Sequence, residues 1–146
     1  MNPIGSTTES AVPSDSGGLQ ASSLEAALTV TNLQQSVAWY SDILGFVVDR
    51  KHEREGSLIA VSMRAGVAFS LLSQDDGTKG ADRLKGAGFS LQFTTVQDID
   101  SLAIRIKAQG GTLESEPVTL PWGARMFRVR DPDGFRFTIS SGIRPK

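Results

Sequence analysis

The fold is decided at RVRDPDGFRFTI, residues 128–139. This stretch predicts a strand, a tight turn and a second strand. Pro132 fixes φ for the second position of a turn, and Gly134 adopts positive φ without steric cost. Asp131 can accept hydrogen bonds from the turn backbone that follows it. We therefore expect a hairpin whose register is set by the Asp-Pro-Asp-Gly turn.

The strand after this turn has one apolar and one polar face. Phe135, Phe137 and Ile139 alternate with polar residues, which is the period-2 pattern of a strand. We expect the apolar face to pack against helices. The polar face, formed by Arg136, Thr138 and Ser140, then meets either water or a ligand cavity.

Composition and charge exclude several classes of function. The chain has 146 residues, a net charge of -1, 39% hydrophobic and 21% charged residues, which predicts one globular domain without the basic patch that nucleic acid requires. We find no apolar run long enough to span a membrane and no signal-peptide pattern, so we expect a cytoplasmic protein with no nucleic-acid or membrane partner. Cysteine is absent and His52 is the single histidine, which excludes disulfides, thiolate catalysis and a site built on several imidazoles of one chain.

The chain divides into a tail and one domain made of two similar halves. Residues 1–22 are rich in small and polar residues and predict a flexible tail, and residues 23–142 predict the folded domain. Within that domain we expect a first module over 24–73, a linker over 74–87 and a second module over 88–142.

An internal repeat supports this division. An offset of 66 residues places Val30 on Val96, Leu33 on Ile99 and Gly45 on Gly111, and each half predicts strand, helix and three strands. The predicted class is α+β: two βαβββ modules form a curved, cleft-shaped mixed sheet, with the helices on its convex side. The concave side is then the expected ligand cleft.

Six short motifs follow one another along the two halves: VTNL at 30–33, SVAWY at 36–40, LGF at 44–46, VQDID at 96–100, PWG at 121–123 and DPDG at 131–134. Together they resemble signatures of the vicinal oxygen chelate superfamily, which includes glyoxalases, extradiol dioxygenases, fosfomycin-resistance enzymes and bleomycin-binding proteins. The resemblance covers residues 24–141. It implies the two-module fold, a small-molecule ligand and a homodimer with clefts at the subunit interface.

The resemblance also implies four metal-ligand positions, one on each of four cleft strands. In this chain they are Glu25, then Ser70, then either Ser90 or Leu91 with Gln92 beside it, and finally Thr138. A divalent ion needs three or four good ligands, and this set holds one carboxylate. We therefore expect no metal site of the family type and no cofactor.

Strand alternation predicts which side chains line the cleft. We expect Val67, Phe69 and Leu71 to face the helices, and Ala68 and Ser70 to face the cleft. On the strand after Trp122, either Met126 with Arg128 or Arg125 with Phe127 faces inward, and we favour the first pair because Phe127 and Val129 resemble core residues. The full predicted lining is Ala27, Thr29, Ser70, Ser90, Gln92, Trp122, Met126, Arg128, Arg136 and Thr138.

Two functions remain open. The first is a small-molecule-binding protein, similar to the bleomycin-binding branch, that holds a ligand without converting it. The alternative is a lyase, isomerase or dioxygenase-like enzyme that uses Glu25 as acid or base, or an atypical metal site. Arg128 and Arg136 can hold a ligand carboxylate or phosphate, or one of them can pair with Glu25. His52 lies in a charged segment and is interpreted as a solvated strand residue.

Overall fold

The structure is a computed structural model that describes residues 17–80 and 82–142. The first module comprises β1 (Glu25–Val30), α1 (Leu33–Asp42), β2 (Val47–Arg54), β3 (Ser57–Ala65) and β4 (Ala68–Gln74). The second comprises β5 (Leu91–Thr94), α2 (Ile99–Ala108), β6 (Leu113–Thr119), β7 (Arg125–Arg130) and β8 (Arg136–Ser140). The predicted α+β fold of two βαβββ modules is confirmed. Most of the predicted tail over residues 1–22 lies outside the described residues.

The strands form two four-stranded mixed sheets, one in each module. The strand order is β1-β4-β3-β2 in the first sheet and β5-β8-β7-β6 in the second. In both sheets the first strand of the module runs parallel to the last, and the remaining pairs are antiparallel. The mixture of parallel and antiparallel pairs was predicted. The strand hydrogen bonds form two four-stranded sheets, where one curved sheet was expected.

The two helices begin and end at the residues that the repeat indicates. The side chain of Asn32 accepts a hydrogen bond from the backbone N–H of Gln35, and Asp98 does the same for Ser101. Gly110 has φ +94°, which lets the N–H of Gly111 bond to the carbonyl of Ile106 and close the last turn of α2. Neither helix of the described residues is long and apolar enough to cross a membrane.

A single hydrophobic core joins the modules. The first sheet contributes Leu28, Val30, Val61, Met63 and Leu72, the second contributes Phe127, Val129 and Phe137, and the helices contribute Leu33, Tyr40, Ile99, Ala103 and Ile106. Ring contacts cross between the modules: Tyr40 meets Phe137 with centroids 5.7 Å apart, and Phe46 meets Phe93 at 5.8 Å. Each sheet therefore turns one face to this shared core and the other, its outer face, away from it.

The register of β4 corrects one prediction. Leu72 lies opposite Leu28 and Val61, and Ser70 lies opposite Ala26 and Met63, so these even-numbered residues face the core. Ser70 is fully buried, whereas Phe69 on the outer face is 37% exposed. The prediction that Ser70 faces the cleft while Phe69 and Leu71 face the helices is wrong. The reason is that both faces of this strand carry apolar residues, so alternation did not identify the core side.

The Asp-Pro-Asp-Gly turn is bonded to α1. The phenol of Tyr40 donates to Oδ2 of Asp131 at 2.7 Å, while Oδ1 accepts the backbone N–H groups of Asp133 at 2.9 Å and Phe135 at 2.8 Å. Burial, reinforced by the nearby Asp131 charge, raises the pKa of Tyr40, so the phenol remains a donor. Burial also raises the pKa of Asp131, against the lowering effect of the donors.

A second contact, which we call the linker clasp, joins Thr31, Asp75, Lys85 and Asp133. Nζ of Lys85 lies 2.8 Å from Oδ2 of Asp75 and 3.6 Å from Oδ1 of Asp133, and it donates to Oγ1 of Thr31 at 3.0 Å. The backbone N–H of Thr31 donates to Oδ1 of Asp133 at 3.0 Å. The side chains of Lys85 and Asp133 are only 6% and 5% exposed. The clasp therefore fixes the connecting segment to both modules.

Replacing Tyr40 by Phe should lower the free energy of unfolding by about 2 kcal/mol, because a buried carboxylate loses its hydroxyl donor. Urea denaturation measures this change. The matched control is Ser36→Ala on the same helix, since the buried hydroxyl of Ser36 has no hydrogen-bond partner among the described residues. Equal losses in both variants would contradict the role given to Tyr40.

The clasp should contribute to stability in a pH-dependent way. The hydrogen bond from Lys85, with the N–H of Gly77, lowers the pKa of Asp75 from 3.8 to about 2. Because this pKa is depressed in the folded state, the contribution is complete above pH 3.8 and is lost as pH falls towards about 2. Asp75→Asn should therefore reduce the loss of Tm over this interval, as measured by circular dichroism. Asp82→Asn, an exposed change in the same segment, should leave that loss as in the natural protein.

Candidate functional site

A pocket of about 460 Å³ lies on the outer face of the second sheet. Its lining residues are Ser90, Gln92, Leu120, Trp122, Ala124, Met126, Arg128, Thr138, Ser140 and Gly142. All of them belong to the second module. Among them, Trp122 and Arg128 are exposed, whereas Met126, Thr138 and Ser140 are buried.

Strand register forms the floor of the pocket. Gln92 on β5 lies opposite Thr138 on β8, and Thr138 lies opposite Arg128 on β7. We call these three side chains the polar row. Met126 and Ser140 lie opposite each other one step along the same face. The floor of the pocket is therefore polar at one end, and at the other it combines the thioether of Met126 with the hydroxyl of Ser140.

The turn before β7 supplies the wall. The N–H of Leu120 bonds to the carbonyl of Ala124 at 2.7 Å, and the N–H of Gly123 bonds to the carbonyl of Leu120 at 2.9 Å. These bonds close the loop around Trp122, whose side chain is 59% exposed at the pocket. A large apolar ring held at the mouth of a pocket is suited to covering a ligand.

The three arginines of β7 differ in their ion-pair partners. Arg125 points to α2, where its Nε lies 2.7 Å from Asp100 and lowers the pKa of that carboxyl. Arg130 reaches Glu114 at 2.7 Å, and Arg136 of β8 reaches the same carboxylate at 3.3 Å. Arg128 makes no ion pair with any described residue. Arg128, the arginine that lines the pocket, is therefore the one on β7 whose guanidinium can bind a ligand.

The pocket brings together six of the side chains predicted to line the cleft, namely Ser90, Gln92, Trp122, Met126, Arg128 and Thr138. Of the two alternatives for β7, Met126 with Arg128 faces the pocket, while Phe127 lies in the core and Arg125 bonds to Asp100. Arg136 is held by Glu114 and is not among the lining residues.

The predicted site residues of the first module lie elsewhere. Glu25, Ala27 and Thr29 alternate with the core residues of β1 and occupy the outer face of the first sheet, opposite Phe69, Leu71 and Ser73. They do not line the pocket, and Ser70 faces the core. The first module's candidates are therefore separated from the polar row within one chain.

Three lining residues were not predicted, namely Leu120, Ala124 and Gly142. The alternation along β8 had placed Ser140 on the polar face of that strand. Leu120 and Ala124 flank the Pro-Trp-Gly turn, and their place at the pocket depends on how that turn closes. Gly142 follows the last strand, where sequence gave no signal.

The donor set of the pocket does not fit the divalent metal that the family resemblance implies. Thr138 lies at the position that the resemblance implies for the fourth metal ligand, and its neighbours in the row are an amide and a guanidinium. Carboxylates and imidazoles are absent from the lining, and a guanidinium repels a cation. Among residues 17–80 and 82–142, no three His, Asp or Glu side chains form a group that could hold a metal ion.

Known proteins share this fold. The chain is 28% identical over 122 residues to a probable lactoylglutathione lyase of Synechocystis sp., a match that covers 80% of this chain and 92% of that protein. The structure of TioX from Micromonospora sp. ML1 covers 82% of this chain and 98% of its own, with a TM-score of 0.65 and 21% identity. A glyoxalase/bleomycin resistance protein/dioxygenase superfamily member from Sphaerobacter thermophilus gives a TM-score of 0.66 at 23% identity, covering 83% and 97%.

The family assignment rests on the sequence as well as the fold. The model of one family matches residues 23–139, which include both helices and all strand residues except Ser140 at the end of β8. The chain belongs to the Glyoxalase/Bleomycin resistance protein/Dioxygenase superfamily.

Proposed function

We propose that this protein binds a small molecule in the second-sheet pocket and does so without a metal ion. The observation that carries the proposal is the lining itself, in which hydroxyls, an amide and a guanidinium without an ion pair to any described residue lie beside an exposed tryptophan. Such a mixture of an apolar wall and a few polar groups is typical of ligand sites. The volume of about 460 Å³ is in the range that holds a drug-sized molecule.

The pocket is completed, in this proposal, by a second copy of the chain. Its lining comes from the second module alone, and the outer face of the first sheet exposes Phe69 beside Glu25. Since the two outer faces point away from a shared core, one chain cannot bring them together. A symmetric homodimer would place the first sheet of each copy over the pocket of the other.

A second candidate function is enzymatic. It is favoured by the relative named probable lactoylglutathione lyase, which aligns over 80% of this chain. In that case Glu25, on the outer face of the first sheet, is the residue available for proton transfer across the dimer cleft. The two candidates differ in whether the bound molecule is converted and whether a metal ion is needed.

Pocket binding can be tested by screening a small-molecule library and monitoring the indole N–H resonance of Trp122 by NMR. We expect some compounds to shift this resonance in the natural protein, and to bind with the same affinity after the protein has been dialysed against EDTA. Ser90→Trp should abolish binding because the new ring fills the pocket. Ser57→Trp, an exposed change at the start of β3, should leave binding intact.

Two results would decide against metal-free binding. One is a tightly held, stoichiometric transition metal whose removal abolishes the shift. The other is turnover of a bound compound that Glu25→Gln eliminates, which would favour the enzyme.

The dimer can be tested by sedimentation. We expect the natural chain to sediment as a dimer and Phe69→Glu to sediment as a monomer, because the new charge would be desolvated at the interface. The matched control is Ile104→Glu, since Ile104 is 67% exposed on α2, away from both outer faces. A natural chain that is monomeric at micromolar concentration would remove this part of the proposal.

A further inference from the structure

We propose that the pocket selects ligands in which an anionic group is joined to a flat apolar group, with the anion at the polar row and the flat group against Trp122 and Met126. This inference rests on the proposed binding function and assigns a chemical class to its ligand. It follows from the distribution of charge and apolar surface within the pocket.

Arg128 is the one guanidinium on the outer face of β7 and β8 without an ion pair among the described residues. The other two, Arg130 and Arg136, both bind the carboxylate of Glu114 on the neighbouring strand. Arg128 lines the pocket. A cavity with low-dielectric walls and uncompensated positive charge attracts anions.

Arg128 lies beside two other hydrogen-bonding side chains. Thr138 lies opposite it on β8 and Gln92 lies opposite Thr138 on β5, so a hydroxyl, an amide and a guanidinium share one row of the floor. These groups donate hydrogen bonds. A guanidinium matches a carboxylate or phosphate in a bidentate arrangement, and flanking donors can satisfy the remaining oxygen lone pairs.

The part of the pocket next to the polar row is apolar. Met126 lies one step along the floor from the polar row, and the turn places Trp122 and Leu120 beside it. Trp122 leaves 59% of its surface exposed, which a flat ligand would cover. Aromatic faces stack on flat groups, and thioethers contact aromatic rings favourably. The ligand is therefore expected to place its ring at this end and its charge at the polar row.

The proposed dimer supplies one competitor for Arg128. The outer face of the first sheet, which would cover the pocket, carries Glu25. If Glu25 of the partner subunit paired with Arg128, it would neutralise the charge that an anionic ligand needs. An experiment on ligand class must distinguish these two occupants.

The test compares 2-naphthoate with its neutral analogue 2-naphthamide, using the full chain and the Trp122 indole resonance. We expect naphthoate to bind at least tenfold more tightly, a difference of about 1.4 kcal/mol. Arg128→Gln should remove this preference by weakening naphthoate alone, while Arg130→Gln should retain it because Arg130 lies outside the pocket lining. Arg128 is exposed, so the variant should fold, which circular dichroism verifies.

The salt dependence gives a second measurement that needs no variant. Naphthoate binding should weaken as ionic strength rises, whereas naphthamide binding should not.

Other outcomes overturn the inference in distinguishable ways. Equal binding of the two probes to the natural protein removes the anion preference but leaves the proposed binding function standing. A preference that appears only in Glu25→Gln shows that the partner's Glu25 occupies Arg128, which also overturns the inference. No shift of the Trp122 resonance with either probe removes the inference, and no shift with any compound of the library removes the proposed binding site as well.

Discussion

The hydrogen bond between the Tyr40 phenol and the Asp131 carboxylate is the interaction on which the two-module arrangement depends. Both side chains are buried, with 0% and 5% exposure, so the carboxylate relies on the phenol and two backbone N–H groups in place of water. Asp131 also holds the turn that sets the register of β8. One buried carboxylate thus joins the helix of the first module to the strand that forms the floor of the pocket.

This arrangement determines where a ligand can bind. Because the helix-covered faces of both sheets share one core, the outer face of each sheet lies on the side away from that core. The pocket on the second sheet has a floor and one wall but no roof from the first module. A partner copy is the element that would enclose it. Binding and assembly are therefore coupled in the function we propose.

The family fold is retained here with a pocket chemistry of its own. Thr138 occupies a position where the resemblance implies a metal ligand, and Arg128 lies beside it in the sheet. A guanidinium at this place favours an anion over a cation. If the ligand is of the class we propose, a few side chains of two adjacent strands give this scaffold an anion-binding row at the place where the resemblance implies a metal ligand.

Local sequence determined the elements of this protein. The turn at Gly134 and the order of strands and helix in each half were predicted because they depend on residues close in the chain, and the caps Asn32 and Asp98 lie at equivalent positions of the 66-residue repeat. Only the tertiary structure decided that Ser70 faces the core, because β4 is apolar on both faces and its side is set by pairing with Leu28 and Met63. It also decided that Arg136 pairs with Glu114 while Arg128 forms no ion pair within the part of the chain that the structure describes, since an ion pair forms only between groups that the fold places together.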